Sequence, residues 1–253
     1  MDVIITLAGQ SKRFHKAGYK KPKFLLPVGN STVISEIIKK FDDDDTFHFI
    51  LNENQVTENK NLVNYINGLC KNTYINIIKT HNFGPVYSAL QAKNIKDESS
   101  TIISYCDFLI DWNYKKFKRE IYGYDGAIVS FKGFHPSSFT GTLYCYLKTK
   151  NNLVTDLREK KSFTKNPHEE FASAGIYYFK NFGTFKKIGH RALKDKKMIE
   201  KYKEIYISLP YTYLLSEKVS ILNFEIERFV SLGTPKDYEE FIHWLSFFKK
   251  NTQ

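Results

Sequence analysis

The feature that most constrains this chain is the alternation, from residue 3 to residue 105, of apolar runs of strand length with stretches of helix length. Residues 3–7, 47–51, 74–78 and 101–105 are the strand-like runs, and residues 32–41, 59–69 and 86–95 separate them as helices. Strands joined through helices cannot pair as hairpins and must cross over, which predicts an α/β fold with helices on both faces of the sheet. In such sheets ligands sit beyond the carboxyl ends of the strands, so the residues after Leu7, Ile78 and Tyr105 are expected to converge. From Asp125 the balance changes: residues 126–131, 142–148, 154–158 and 175–179 read as strands, and residues 185–193 and 205–217 as helices. A strand over 219–225 and a terminal helix from Pro235 follow. No repeat, low-complexity linker or break in composition divides the chain. A Rossmann-like, mixed but mostly parallel central sheet in one domain over residues 1–253 is the expectation.

Composition narrows the partners. At 253 residues and 42% hydrophobic content the chain is long enough for a sizeable core, and its net charge of +11 favours anionic ligands. Nucleic acid would satisfy that charge, but no helix-turn-helix, zinc-finger or RNP-type pattern is present, so nucleic acid is not expected as a partner. Cys70, Cys106 and Cys145 lack CxxC spacing and are too sparse for a disulfide framework, which fits a reducing compartment. Asp2 stands where a secretory signal carries a basic residue, and no stretch approaches the length of a membrane span, so a soluble, cytoplasmic protein with no membrane partner is expected. The run Asp42-Asp43-Asp44-Asp45 reads as a solvated turn, since consecutive carboxylates without alternating spacing do not build a cation cage.

Three segments carry chemistry. After the first strand comes Leu7-Ala8-Gly9-Gln10-Ser11-Lys12-Arg13-Phe14, then Pro22-Lys23. A glycine closing a strand lets a ligand approach the backbone, successive N–H groups form a concavity for phosphate oxygens, and Lys12, Arg13 and Lys23 add cations. Taken alone, the segment is as well read as an exposed basic loop. Gly84-Pro85-Val86-Tyr87-Ser88 opens a helix, with Gly84 able to pack under a base and Pro85 suited to a helix start. Asp107 follows an apolar strand in Tyr105-Cys106-Asp107-Phe108, where a carboxylate can hold Mg²⁺ against phosphate oxygens or cap a turn. Cys106 reads as a small buried residue, and Asp111 as a helix cap.

In this order the segments resemble the sugar-phosphate nucleotidyltransferase family, which opens with Leu-Ala-Gly, an Arg and a Pro-Lys, here Leu7-Ala8-Gly9, Arg13 and Pro22-Lys23. The later landmarks are Arg158-Glu159-Lys160, Ala172-Ser173-Ala174-Gly175-Ile176-Tyr177 and Ser231-Leu232-Gly233-Thr234-Pro235-Lys236-Asp237. The resemblance implies that residues 1–120 bind an NTP and residues 121–253 an acceptor. Arg13 and Lys23 would be catalytic, and Leu7, Ala8, Gly9, Gln10, Ser11, Lys12, Gly84 and Ser88 would bind nucleotide. Glu159, Lys160, Ser173 and Gly175 would bind the acceptor, with Lys160 on its phosphate, and Asp107 would hold Mg²⁺. Ser231 replaces the aspartate that in the family often supplies a second metal ligand; Glu225, Glu227 and Ser231 share one face of an extended strand, so Glu227 is the expected substitute. The wording Tyr-Cys-Asp-Phe and Ser-Leu-Gly-Thr-Pro is similar to the capsule-modifying members. It implies CTP as the donor and L-glutamine phosphate as the phosphorylated acceptor.

Overall fold

The computed structural model describes residues 1–133 and 141–251. The first portion runs β1 (Asp2–Thr6), α1 (Lys12–Lys16), two short strands β2 (Pro27–Val28) and β3 (Ser31–Thr32), α2 (Val33–Ile38), β4 (Thr46–Asn52), α3 (Glu53–Glu58), α4 (Leu62–Asn67), β5 (Asn72–Ile78), α5 (Pro85–Ala89) and β6 (Thr101–Ser104). It continues through β7 (Phe108–Asp111), α6 (Tyr114–Glu120), β8 (Gly126–Phe131), β9 (Cys145–Lys150), β10 (Leu153–Glu159) and β11 (Phe171–Phe179). The chain closes with α7 (Phe182–Ala192), α8 (Lys196–Tyr202), α9 (Tyr211–Ser216), β12 (Ile221–Glu225), β13 (Arg228–Ser231) and α10 (Pro235–Asn251).

One nine-stranded sheet, in the order β5-β4-β1-β6-β11-β8-β12-β10-β9, organises the chain. Its β1 strand is buried along both faces: Val3 and Ile5 enter one apolar cluster and Ile4 the other, as the two-residue strand period requires. That is why the first strand reads as a continuous apolar run and not as an alternating one. The expected mostly parallel sheet is corrected to a mixed one. Strands β5, β4, β1 and β6 pair in parallel, as do β8 and β12, whereas the β6–β11, β11–β8, β12–β10, β10–β9 and β11–β9 pairings are antiparallel. One of these reversals has a local cause. Asn151 and Asn152 both adopt positive φ, 51° and 61°, and turn β9 directly back onto β10 as a two-residue hairpin.

A second, two-stranded ribbon matters more for the site. Strand β13 runs antiparallel to β7, with Ser231 opposite Phe108 and Arg228 opposite Asp111. This register sets Ser231, Gly233 and the start of α10 beside Asp107. Asp111 therefore lies within β7, 3.8 Å from Arg228, and the cap of α6 expected there is Asn113, which accepts from Lys116 N at 2.9 Å. The 42–45 run does form a turn. It is tied down, because Asp45 is buried and accepts from the Met1 ammonium at 3.1 Å, while Asp42 pairs with Lys118.

Candidate active site

The loop after β1 departs from a strand at Leu7. Leu7 itself is 1% exposed and packs in the core, so its side chain is corrected from a nucleotide contact to an anchor of the loop's entry. Ala8, Gly9, Gln10, Ser11, Lys12 and Arg13 all line a cavity of about 330 Å³. Ser11 takes a left-handed conformation (φ 49°), uncommon for a residue with a side chain, and its Oγ accepts from Lys23 N at 3.2 Å. This contact folds the Pro22-Lys23 segment back under the loop. Among the described residues, the N–H groups of Ala8, Gly9, Gln10 and Ser11 have no acceptor in the protein. Gly9 is not demanded by packing: a Cβ there would meet nothing within 4 Å, and its φ is ordinary.

On the far side of this cavity lies the segment after β5. Gln10 Nε2 donates to His81 O at 3.1 Å and to Asn82 Oδ1 at 3.0 Å, and Lys12 Nζ reaches the same Oδ1 at 3.3 Å, so the loop is laced to residues 81–82. Phe83 N donates to His81 Nδ1 at 3.2 Å, which leaves the ring proton on Nε2 for Ser88 Oγ at 3.0 Å. Burial pulls the His81 imidazole below its ordinary value against the opposing charge of Glu204, in keeping with this neutral tautomer. Gly84 lines the cavity, but its positive φ of 91° serves a different neighbour from the expected base: a Cβ would lie 2.5 Å from Ile205 N and 2.8 Å from Ile205 O. The glycine admits the backbone of residues 204–205, which bonds to both Phe83 O and Val86 N.

A second cavity of about 490 Å³ adjoins the first. Arg13, Tyr105, Asp107, Glu204, Tyr206 and Gly233 line both, so they form the strip where two ligands would meet. In that strip Lys23 Nζ donates to Asp107 Oδ2 at 2.7 Å, with both side chains roughly four-fifths buried. Burial lowers the Lys23 ammonium, yet the Asp107 carboxylate outweighs it and the net direction is upward. Lys23 is therefore a cation at any ordinary pH. A Cβ on Gly233 would stand 3.2 Å from Asp107 Oδ2, so a larger residue would crowd the carboxylate. Burial pushes the Cys106 thiol up to about 12, which leaves a packing group and no thiolate nucleophile.

The acceptor-side residues converge as well. Glu159, Lys160, Ser173 and Gly175 all line the second cavity. Lys160 has positive φ (55°) at the end of β10, and its ammonium lies 4.2 Å from the centre of the Tyr206 ring and bonds the Tyr206 hydroxyl. Glu159 is buried, accepts from Ser208 Oγ at 2.5 Å, and is held above the usual carboxylate range by burial, against the pull of Ser208, Lys160 and Cys145. Gly175 bulges β11: Ser173 Oγ accepts its N–H at 3.1 Å, its φ is 83°, and a Cβ would lie 2.9 Å from the Tyr105 ring.

Glu227 is not brought to the site. It lines an open groove with Asp42, Asp111 and Trp112, at the end of the β13–β7 ribbon away from Asp107. Facing the same side of a strand as Ser231 does not bring Glu227 near Asp107, because four residues of extended chain span roughly 13 Å. The carboxylate that does reach this end is Asp237, whose Oδ2 accepts from Ser231 Oγ at 3.1 Å and which lines the second cavity. Asp237, the last residue of the Ser231–Asp237 landmark, also stands in the first turn of α10, where Thr234 Oγ1 accepts its N–H at 3.1 Å. His81, Asn82, Glu204 and Tyr206 were missed outright. Only His81 and Asn82 carried a signal, as polar residues just past a strand expected to end at the site. Among the described residues no group of three or more His, Cys, Asp and Glu side chains forms a metal cage. For Mg²⁺ that is no obstacle, since it takes few protein ligands and completes its shell with phosphate and water. Asp107, which already holds a cation in Lys23, suits it.

No family model matches the chain. Among curated proteins it is similar to the bifunctional protein GlmU of Methanococcus maripaludis strain C5, at 28% identity over 214 residues, covering 79% of this chain and 47% of that protein. GlmU of Methanocaldococcus jannaschii is 26% identical over 180 residues, covering 71% of this chain and 40% of its own length. The chain thus spans less than half the length of these relatives. Among solved structures, a nucleoside-diphosphate-sugar pyrophosphorylase from Vibrio cholerae RC9 superposes with a TM-score of 0.79 at 21% identity, over 96% of this chain and all of that one. An inositol-1-phosphate CTP transferase from T. maritima gives 0.67 at 12% identity, over 93% and 90% of the two chains. A UDP-glucose pyrophosphorylase complexed with UDP-glucose gives 0.73 at 15% identity, over 98% of both. The chain has the α/β fold of these nucleotidyltransferases.

Proposed function

We propose that this protein is a Mg²⁺-dependent nucleotidyltransferase that transfers a nucleoside monophosphate from an NTP to a small phosphorylated acceptor and releases pyrophosphate. The observation that carries the reading is the junction of two cavities in one strip bearing Arg13 and Asp107, with unpaired loop amides on one side and Lys160 on the other. An acceptor phosphate is already anionic at neutral pH, so its oxygen attacks the α-phosphorus directly and neither a general base nor a covalent nucleophile is required. Arg13 and Lys23 stabilise the charge gathering on the departing pyrophosphate, the loop amides hold the phosphates in line, and Lys160 anchors the incoming phosphate. Mg²⁺, which Asp107 would hold, supplies Lewis-acid stabilisation of the phosphate oxygens. The fold and the names of the relatives support the same class.

For the substrates the finer reading is CTP with L-glutamine phosphate, to give CDP-L-glutamine in capsular polysaccharide modification. It rests on the capsule-type motifs. It also agrees with the lining of the second cavity, where Glu159, Glu204 and Asp237 stand beside Arg13 and Lys160, carboxyl groups that an acceptor bringing an ammonium with its phosphate would meet. A hexose or heptose 1-phosphate is the second reading, favoured by the aromatic wall of Tyr105, Tyr144, Tyr206 and Phe229 in the same cavity. The test is pyrophosphate release with Mg²⁺ and each of five NTPs, offered L-glutamine phosphate or a panel of sugar phosphates. Release with CTP and glutamine phosphate alone supports the finer reading. Another productive pair keeps the class and replaces the substrate. Silence throughout, with salt-sensitive binding to polyanions, would favour a noncatalytic binding module.

A further inference from the structure

The carbonyls of Leu7, Ala8 and Gly9 are all taken by one pair of side chains behind the loop. Gln55 Nε2 donates to Leu7 O at 2.8 Å and to Gly9 O at 3.0 Å, and Asn52 Nδ2 donates to Ala8 O at 2.9 Å. The pair is itself locked as the capping box of α3: Asn52 Oδ1 accepts from Gln55 N at 2.9 Å and Gln55 Oε1 accepts from Asn52 N at 3.0 Å. Asn52 is 2% exposed and Gln55 5%. In a trans peptide the C=O and N–H point in opposite directions. Drawing three successive carbonyls to the box therefore aims the N–H groups of Ala8, Gly9 and Gln10 the other way, into the first cavity. Among the described residues no protein atom accepts these N–H groups.

The residue types carry the argument a step further. A capping box needs only two side-chain acceptors, and Ser or Thr with Glu would serve the helix as well. Asn and Gln each add an amide donor to the acceptor the cap uses. At both positions that donor is spent on the loop.

We propose that Asn52 and Gln55 are positioning residues for the donor phosphates: they act through the Leu7–Gly9 carbonyls to preorganise the loop amides, and touch no substrate themselves. This rests on reading the loop as a phosphate site. The test compares wild type with Gln55→Glu, which keeps the acceptor for the cap and lacks the donor, and with Gln55→Met, which lacks the donor without adding charge. Binding of inorganic pyrophosphate with Mg²⁺ is read by calorimetry, together with KM for each substrate and the melting temperature. The expected result is a loss of about tenfold or more in pyrophosphate affinity and a matching rise in NTP KM, with acceptor KM within twofold of wild type. Folded variants that bind pyrophosphate as wild type does, or that raise both KM values equally, overturn the inference alone. A wild-type protein that binds neither pyrophosphate nor any NTP overturns the phosphate-loop reading and the inference with it. If the Gln55 variants do not fold, Asn52→Asp, which keeps its own cap acceptor, makes the same comparison.

Discussion

At the residue scale Gly84 and Gly175 differ from Gly9 in what demands them, and the difference makes a prediction. Gly84 and Gly175 combine positive φ with backbone or ring atoms within 3 Å of a Cβ, so structure alone demands them. Gly9 has neither constraint and faces the cavity. Gly9→Ala should melt close to wild type, within about 0.5 kcal/mol, yet raise NTP KM by roughly tenfold, because the added methyl meets a ligand and nothing else. Lys23→Ala should chiefly lower kcat, by about a hundredfold or more, whereas Lys160→Ala should chiefly raise acceptor KM; steady-state kinetics with each substrate varied separates the two. Glu159 yields a pH prediction. Burial raises its folded-state value above 4.5, so its contribution to stability is full below that value and is lost as pH rises through the folded one. Glu159→Gln should therefore gain in melting temperature relative to wild type as pH is taken from 4.5 to 8. In the sequence Asp107 stands out as a carboxylate closing an apolar strand and Lys23 as a third cation near the Lys12-Arg13 loop, whereas Lys160 is pointed to only by the family resemblance. Asp237 was not: its nearness to Asp107 depends on the register between β13 and β7, which no local pattern encodes.

At the element scale the most informative miss is the stretch expected as a helix over 205–217. Only Tyr211–Ser216 is helical. Residues 205–207 are held instead by tertiary bonds: Ile205 N to Phe83 O, Val86 N to Ile205 O, and Ile207 N to the Tyr105 hydroxyl at 3.1 Å. Helix propensity is a weak prior beside backbone bonds of this kind. The segment they fix presents Glu204 and Tyr206 to the strip between the cavities. Gly84→Ala forces a Cβ against Ile205 and a side chain into positive φ, and should cost about 3 kcal/mol or more in urea unfolding. The surviving folded fraction should show impaired use of both substrates, since Glu204 and Tyr206 line both cavities. The β9–β10 hairpin was also missed, although Asn-Asn between two polar-apolar strands is a recognisable turn for residues that tolerate positive φ.

At the scale of the whole molecule the parallel half of the sheet was readable and the antiparallel half was not. Crossover helices announce parallel pairing in the sequence, whereas β11 pairs with β6, β8 and β9 across long separations that leave no periodic trace. The resulting cleft has two cavities that share one strip of lining residues and no thiolate nucleophile at Cys106, so transfer should be direct. Initial-rate plots should intersect, as for a ternary complex; parallel lines would point to a covalent intermediate and sink this account.

The ion pair between Lys23 and Asp107 reaches beyond the reaction itself. With Lys23 as its counter-charge Asp107 is not a bare carboxylate when divalent metal is scarce, so the resting fold should not lean on magnesium for its integrity. Melting curves in chelator and in excess Mg²⁺ should overlay while turnover vanishes in the first. On the proposed reading the metal would belong to the turnover and not to the fold, with Lys23 as the standing partner of Asp107.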